Sequence, residues 1–173
     1  MRTIRIKAYK FNELSAEVQE TVLNDLYAIN VEDFEWWDGV YNDAENIGLK
    51  ITSFDLDRNR HADGEFIQDA IYTANKIKSE HGQECETYKT AIAFLAERDE
   101  IVNNAPKDEN GDFEDETELD SILDECEDDF LNSLLNDYAI MLEKESEYLM
   151  SKEAIIETIE ANEYEFTKEG KQI

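Results

Sequence analysis

The chain has 173 residues, enough for one domain with its own core or for two small ones. Apolar residues make up 41% of it, with eight Phe, eight Tyr and two Trp, which excludes a globally disordered chain, because disorder at high charge needs low hydrophobicity as well. A net charge of −28 excludes attraction to nucleic acid or to an anionic membrane and favours strongly basic partners.

The first element predicted is a strand over Thr3–Lys10, where Ile4, Ile6 and Ala8 alternate with Arg5, Lys7 and Tyr9. Ser15 reads as an N-cap, with Glu17 in the first turn of a helix whose stripe is Val18, Val22, Leu26 and Ile29. A second helix is predicted from Asp33, its cap, to Ile47, with Phe34, Trp37, Tyr41, Ala44 and Ile47 on one face and Gly48 as its stop. Leu49–Arg58 reads as a strand whose alternation slips between Ser53 and Phe54, the sign of a bulge. Asn59–Gly64 reads as a connection.

A third helix carries Phe66, Ala70, Ile71, Ala74 and Ile77 and is closed by Gly82. A fourth, from Glu84 to about Val102, carries Cys85, Tyr88, Ile92, Leu95 and Val102. The segment 103–116 holds the only proline, Pro106, and is predicted as a mobile acidic loop. The fifth helix is the longest, Thr117–Met150. One apolar stripe runs along it through Leu119, Ile122, Leu123, Cys126, Phe130, Leu134, Tyr138, Met141, Leu142, Tyr148 and Leu149. Ser151 caps a short sixth helix with Ile155, Ile156 and Ile159, and Tyr164–Thr167 is strand-like. A C-terminal strand pairing with the first gives one α+β domain over 1–173. It has a small antiparallel sheet (N-terminal, central and C-terminal strands) and a bundle of about six helices.

The charge is uneven. The net is −5 over residues 1–60, −12 over 61–120 and −11 over 121–173. Its densest part is 108–129, where thirteen of twenty-two residues are acidic and none is basic: Asp108, Glu109, Asp112, Glu114, Asp115, Glu116, Glu118, Asp120, Asp124, Glu125, Glu127, Asp128 and Asp129. Were the whole stretch helical, it would rise about 33 Å, or roughly one charge per 2.5 Å. Duplex DNA carries one per about 1.7 Å of axis, the same order. A fixed array of that density could occupy a site built for phosphates. A solvated acidic face that serves solubility is the plainer alternative.

Other motifs carry less. Asp55-Leu-Asp57-Arg-Asn59 with Asp63, and Asp108-Glu-Asn110-Gly-Asp112, begin like calcium loops. Arg60 and Phe66 break the first and Leu119 the second, so both are expected to be turn chemistry. His81 and Cys85 have ligand-pair spacing without a second pair, and His81 beside Gly82 is expected to end a helix. Cys85 and Cys126, at core-like positions, are expected to be free and buried. No nucleophile motif, phosphate loop or distinct carboxylate couple stands out. No catalytic residue, cofactor or metal is therefore assigned, and a non-enzyme is expected. No apolar run reaches the length of about eighteen residues that a membrane span needs, and the N-terminus lacks the apolar stretch of a secretory signal. The expectation is a protein of the host cytoplasm, away from membranes; its oligomeric state is left open, a dimer through the long helix being one option. Trp36, flanked by Glu35 and Trp37-Asp38, is read as the rim of the core or as a protein-binding anchor.

Phe11-Asn-Glu-Leu-Ser15, Glu35-Trp-Trp-Asp38, Ile47-Gly-Leu-Lys-Ile51, Ser53-Phe-Asp-Leu-Asp-Arg58 and Ala161-Asn-Glu-Tyr-Glu-Phe-Thr-Lys-Glu-Gly170 occur in that order. Together they resemble uncharacterised small acidic proteins encoded by phages and integrated mobile elements. The resemblance covers about the first hundred residues and the C-terminal tail, and it transfers no site. It implies a genomic setting in which counter-defence proteins are common. The expected function is a nucleic-acid mimic that inhibits a host DNA- or RNA-binding defence protein, such as a CRISPR effector or a restriction enzyme. It would occupy that protein's basic channel with the 108–129 carboxylates and would not bind nucleic acid directly. The alternative is a non-enzymatic interaction or accessory protein that binds through an apolar patch at Trp36.

Overall fold

A computed structural model describes residues 7–32 and 35–173. The elements in order are β1 (Tyr9–Lys10), α1 (Ala16–Asp25), α2 (Asp38–Asn46), β2 (Leu49–Asp55), β3 (His61–Phe66), α3 (Ala70–Glu80), α4 (Glu86–Asn104), α5 (Glu116–Leu149), α6 (Lys152–Ala161) and β4 (Glu165–Phe166). The fold class is α+β, as predicted. The strands form two separate antiparallel pairs, β1 with β4 and β2 with β3. Contacts group the chain into two compact units, one of residues 37–143 and one of residues 1–36 with 144–173.

In the smaller unit, β1 meets β4 with Tyr9 opposite Phe166, the closure of N-terminal on C-terminal strand that the sequence suggested. Residues 3–6 of the predicted first strand lie outside the described residues. Phe11, Leu14, Val22, Leu23, Ile155, Ile159 and Phe166 form its core, so α1 and α6 each contribute one apolar face. The Ser151 hydroxyl accepts a hydrogen bond from the Ala154 N–H at 3.3 Å and starts α6 as predicted. Asn30 fastens the residues after α1. Its amide donates to the Leu149 carbonyl at 2.9 Å and its oxygen accepts from the Thr158 hydroxyl at 2.7 Å.

In the larger unit, β2 and β3 form a hairpin with a register irregularity between Ile51 and Ser53, next to the predicted slip. β3 itself takes the place of the predicted connection. Its residues have little strand propensity, and only pairing with β2 makes them a strand. Ala62, Gly64 and Phe66 point inward. A Cβ on Gly64 would lie 2.5 Å from the Lys50 carbonyl oxygen and 2.8 Å from Leu135 Cδ2, so glycine is what lets α5 approach the hairpin. Phe94 of α4 stacks on Phe130 of α5 with centroids 4.2 Å apart, and Phe66 stacks on the other side at 5.8 Å. These rings set α4 and α5 side by side over the hairpin.

Several boundaries moved. α2 begins at Asp38, with Trp37 as its N-cap residue. The predicted cap Asp33 and face residue Phe34 lie outside the described residues. Phe66, predicted on the third helix, ends β3 instead, and Asp69 caps α3, its carboxylate accepting from the Tyr72 N–H at 2.7 Å. Among the described residues, no helix is long and apolar enough to cross a membrane.

Candidate functional site

The acidic stretch starts in an ordered hairpin. Residues 107 and 113 form an antiparallel bridge, and the Lys107 ammonium lies 5.0 Å from the Phe113 ring centroid. The Asp108 carboxylate turns the chain by accepting from the N–H groups of Asn110 at 2.8 Å and Asp112 at 3.0 Å. Those backbone donors hold its pKa below the ordinary carboxylate value. Gly111 completes the turn at φ +90, a conformation that favours glycine. Asp115 then caps α5, accepting from the Glu118 N–H at 2.9 Å. These hydrogen bonds lie within or beside the segment 103–116 predicted as a mobile loop.

Twelve of the thirteen carboxylate residues are exposed and Glu127 is half-buried. Asp108 and Asp115 serve the backbone. Among the described residues, the remaining eleven have no hydrogen-bonding or ionic partner for their carboxylates, since the eight ion pairs all lie elsewhere. Eight of the thirteen are on α5 between Glu116 and Asp129. That span rises about 20 Å, or roughly one charge per 2.5 Å. At about 100° per residue these acids cover the whole outward half of the helix, opposite Leu119, Cys126 and Phe130. Glu116, Asp120, Asp124 and Asp128 form a single exposed row at i, i+4 spacing. Successive members are about 6 Å apart along the axis, close to two of the 3.4 Å phosphate steps of one DNA strand.

Beside this face lies an open groove of about 550 Å³. Ile101, Ala105, Pro106, Leu119 and Ile122 supply its apolar surface. Glu97, Glu100, Glu114, Asp115 and Glu118 rim it, and no basic residue among the described ones lines it. Ile122, expected within the buried stripe, is 42% exposed, because it sits about 60° off Leu119 around the helix, at the stripe's edge. The sequence reading missed Glu97 and Glu100. They lie on α4, and only the packing of α4 on α5 brings them to the acidic segment. On the far side of Leu119, Arg98 shares a hollow with Glu116 and Asp120 without an ion pair to either.

The other sequence candidates resolve into structure. Asp55 accepts from the Asp57 N–H at 2.8 Å, a turn contact. Among the described residues, no group of three or more His, Cys, Asp or Glu side chains is placed to hold a metal ion. His81 ends α3 as predicted. Its Nδ1 is 2.7 Å from the Thr87 hydroxyl and its Nε2 is 3.7 Å from Asp43 Oδ1, and Asp43 Oδ2 also accepts from the Tyr138 hydroxyl at 2.8 Å. This hydroxyl–imidazole–carboxylate order resembles a hydrolase triad, but Thr87 is only 3% exposed, so no substrate carbonyl reaches its oxygen. The network instead ties α2, α3, α4 and α5 together.

Cys126 is buried, as expected, and burial pushes its thiol pKa up. Cys85 is not: it is the exposed N-cap residue of α4. The helix starts at Glu86, two residues later than the predicted Glu84, which leaves the thiol outside the buried face. Trp36 is half-buried. Trp37 packs edge-on against Phe54 at 5.7 Å. Comparison with family models, with curated proteins and with solved structures returns no match to this chain.

Proposed function

We propose that this protein is a non-catalytic inhibitor that fills the basic nucleic-acid channel of a host DNA- or RNA-binding defence protein. CRISPR effectors and restriction enzymes have such channels, lined with Lys and Arg. The observation that carries the reading is the ordered acidic face of α5, above all the row Glu116, Asp120, Asp124 and Asp128. Unpartnered carboxylates fixed on a helix keep the same spacing before and after binding, so a channel preorganised for phosphates meets a preorganised anion. The same charge repels nucleic acid and anionic lipid, so the partner is a protein.

Such binding is fast, salt-dependent and competitive with nucleic acid. The test is capture from a host lysate, followed by displacement with duplex DNA and titration between low and high salt. The expected result is displacement by DNA and an affinity that falls by at least about tenfold from roughly 50 to 200 mM salt. Replacing Glu116, Asp120, Asp124 and Asp128 together by their amides removes binding. An affinity indifferent to salt and DNA overturns the proposal. Loss of binding on Trp36→Ala, with the four-amide variant still active, would assign the contact to an apolar patch and the acidity to solubility.

A further inference from the structure

We propose that the groove between the end of α4 and the start of α5 receives an apolar side chain presented between Lys or Arg residues on a helix of the partner. The inference rests on the reading of the acidic face as a surface for a cationic protein, and it says what that protein must carry besides charge. Its starting point is an apolar hollow, not the acids. Ile101, Leu119 and Ile122 line its floor, with Leu119 buried at the bottom and Ile122 42% exposed at the edge. An open apolar hollow of about 550 Å³ holds a few side chains and belongs to the size range of ligand-binding clefts.

The charge around it selects the occupant. Five carboxylate residues, Glu97, Glu100, Glu114, Asp115 and Glu118, rim the hollow, with no base among the described residues that line it. An acidic or neutral apolar segment would bury these charges without compensation, which is costly. A segment with cations on both sides of its apolar anchor compensates them and removes Ile122 from water in the same step. The rim comes from both helices, so the cations must lie on both sides of the anchor. An amphipathic helix with apolar residues at i and i+3 or i+4 and Lys or Arg beside them meets that pattern. A bare polycation, such as a phosphate-channel loop of lysines alone, leaves the floor wet.

The test uses the intact protein and two synthetic peptides. One is a Lys/Leu peptide patterned as an amphipathic helix. The other has every leucine replaced by glutamine, at equal length and charge. Binding is measured by calorimetry at about 150 mM salt, where weak surface electrostatics are screened. The expected result is that the leucine peptide binds roughly tenfold tighter, as burial of one leucine-sized side chain implies. Ile122→Ser should abolish that preference with an unchanged circular dichroism spectrum, because Ile122 is exposed and its loss opens no core. Ile67→Ser, which removes an isoleucine 50% exposed elsewhere, should leave it intact. Equal affinity for the two peptides overturns the groove proposal while the charge-mimic reading stands. Failure of both peptides to bind also overturns the groove proposal, while the charge-mimic reading stands or falls by its own salt and DNA titration. A preference that survives Ile122→Ser places the apolar contact elsewhere and overturns the proposal. So does displacement of the leucine peptide by an equal concentration of spermidine, which would make the groove a site for small polycations.

Discussion

Asp137 is an acid with a structural cost. It lies on α5, is 9% exposed, and accepts from the Thr90 hydroxyl at 2.7 Å. Burial raises its pKa above the usual carboxylate value, the Thr90 hydrogen bond works the other way, and nearby Glu86 adds to the rise. The folded state therefore binds this proton more tightly than the unfolded chain does. That preference stabilises the fold fully below the unfolded pKa, about 3.9, and is lost as pH rises through the folded value. Asp137→Asn keeps an acceptor for Thr90 and cannot ionise. It should gain stability relative to the native chain as pH rises from about 3.5 to 7, read as the urea midpoint at each pH. Asp128→Asn, which removes an exposed charge, is the reference and should show little of this trend.

At the scale of the element, the acidic row on α5 opposes the helix that carries it. Like charges at i, i+4 destabilise a helix by a few tenths of a kcal/mol per pair. Glu116, Asp120, Asp124 and Asp128 make three such pairs in succession, without an intervening base. The helix tolerates them because Phe94, Phe66 and Phe130 anchor it from the other side. Asp124→Lys turns two repulsive pairs into attractive ones. It should raise the thermal midpoint by on the order of 2 °C at low salt, with a smaller gain in high salt, while weakening binding to a basic partner. Stability gained with binding lost is the signature of a functional charge; a charge kept only for solubility would show no such exchange.

For the molecule as a whole, a net charge of −28 means the fold forms against its own repulsion. Screening length falls from about 30 Å at 10 mM salt to roughly 4 Å at 0.5 M. The thermal midpoint should accordingly rise by about 5 °C or more between those salt concentrations, measured by circular dichroism. The eight ion pairs among the described residues do not reverse this expectation. Most are exposed, such as Lys152–Glu20 and Lys50–Glu65, and exposed pairs contribute little and are themselves screened. A midpoint that falls with added salt would mean that attractive pairs dominate after all.

The sequence by itself determined the helices, because apolar residues at a 3.6-residue period force an amphipathic face wherever they occur. α3, α4, α5 and α6 stand close to where Ala74, Ile77, Tyr88, Phe130, Leu134 and Ile155 put them. It determined the acidic segment too, since charge is a property of composition. It was silent wherever a residue's state depends on a distant neighbour. β3 is a strand only because β2 lies beside it, and Gly64 matters because the Lys50 carbonyl of β2 and Leu135 of α5 both close on it. His81 meets Asp43 and Thr87 through packing, and Cys85 is exposed because α4 begins just past it. The groove is the clearest case. Glu97 and Ile122 are twenty-five positions apart in the chain and become neighbours only when α4 and α5 pack. Local periodicity decides what each helix buries, but which side chains share one hollow is decided by long-range contact, and that is set in three dimensions.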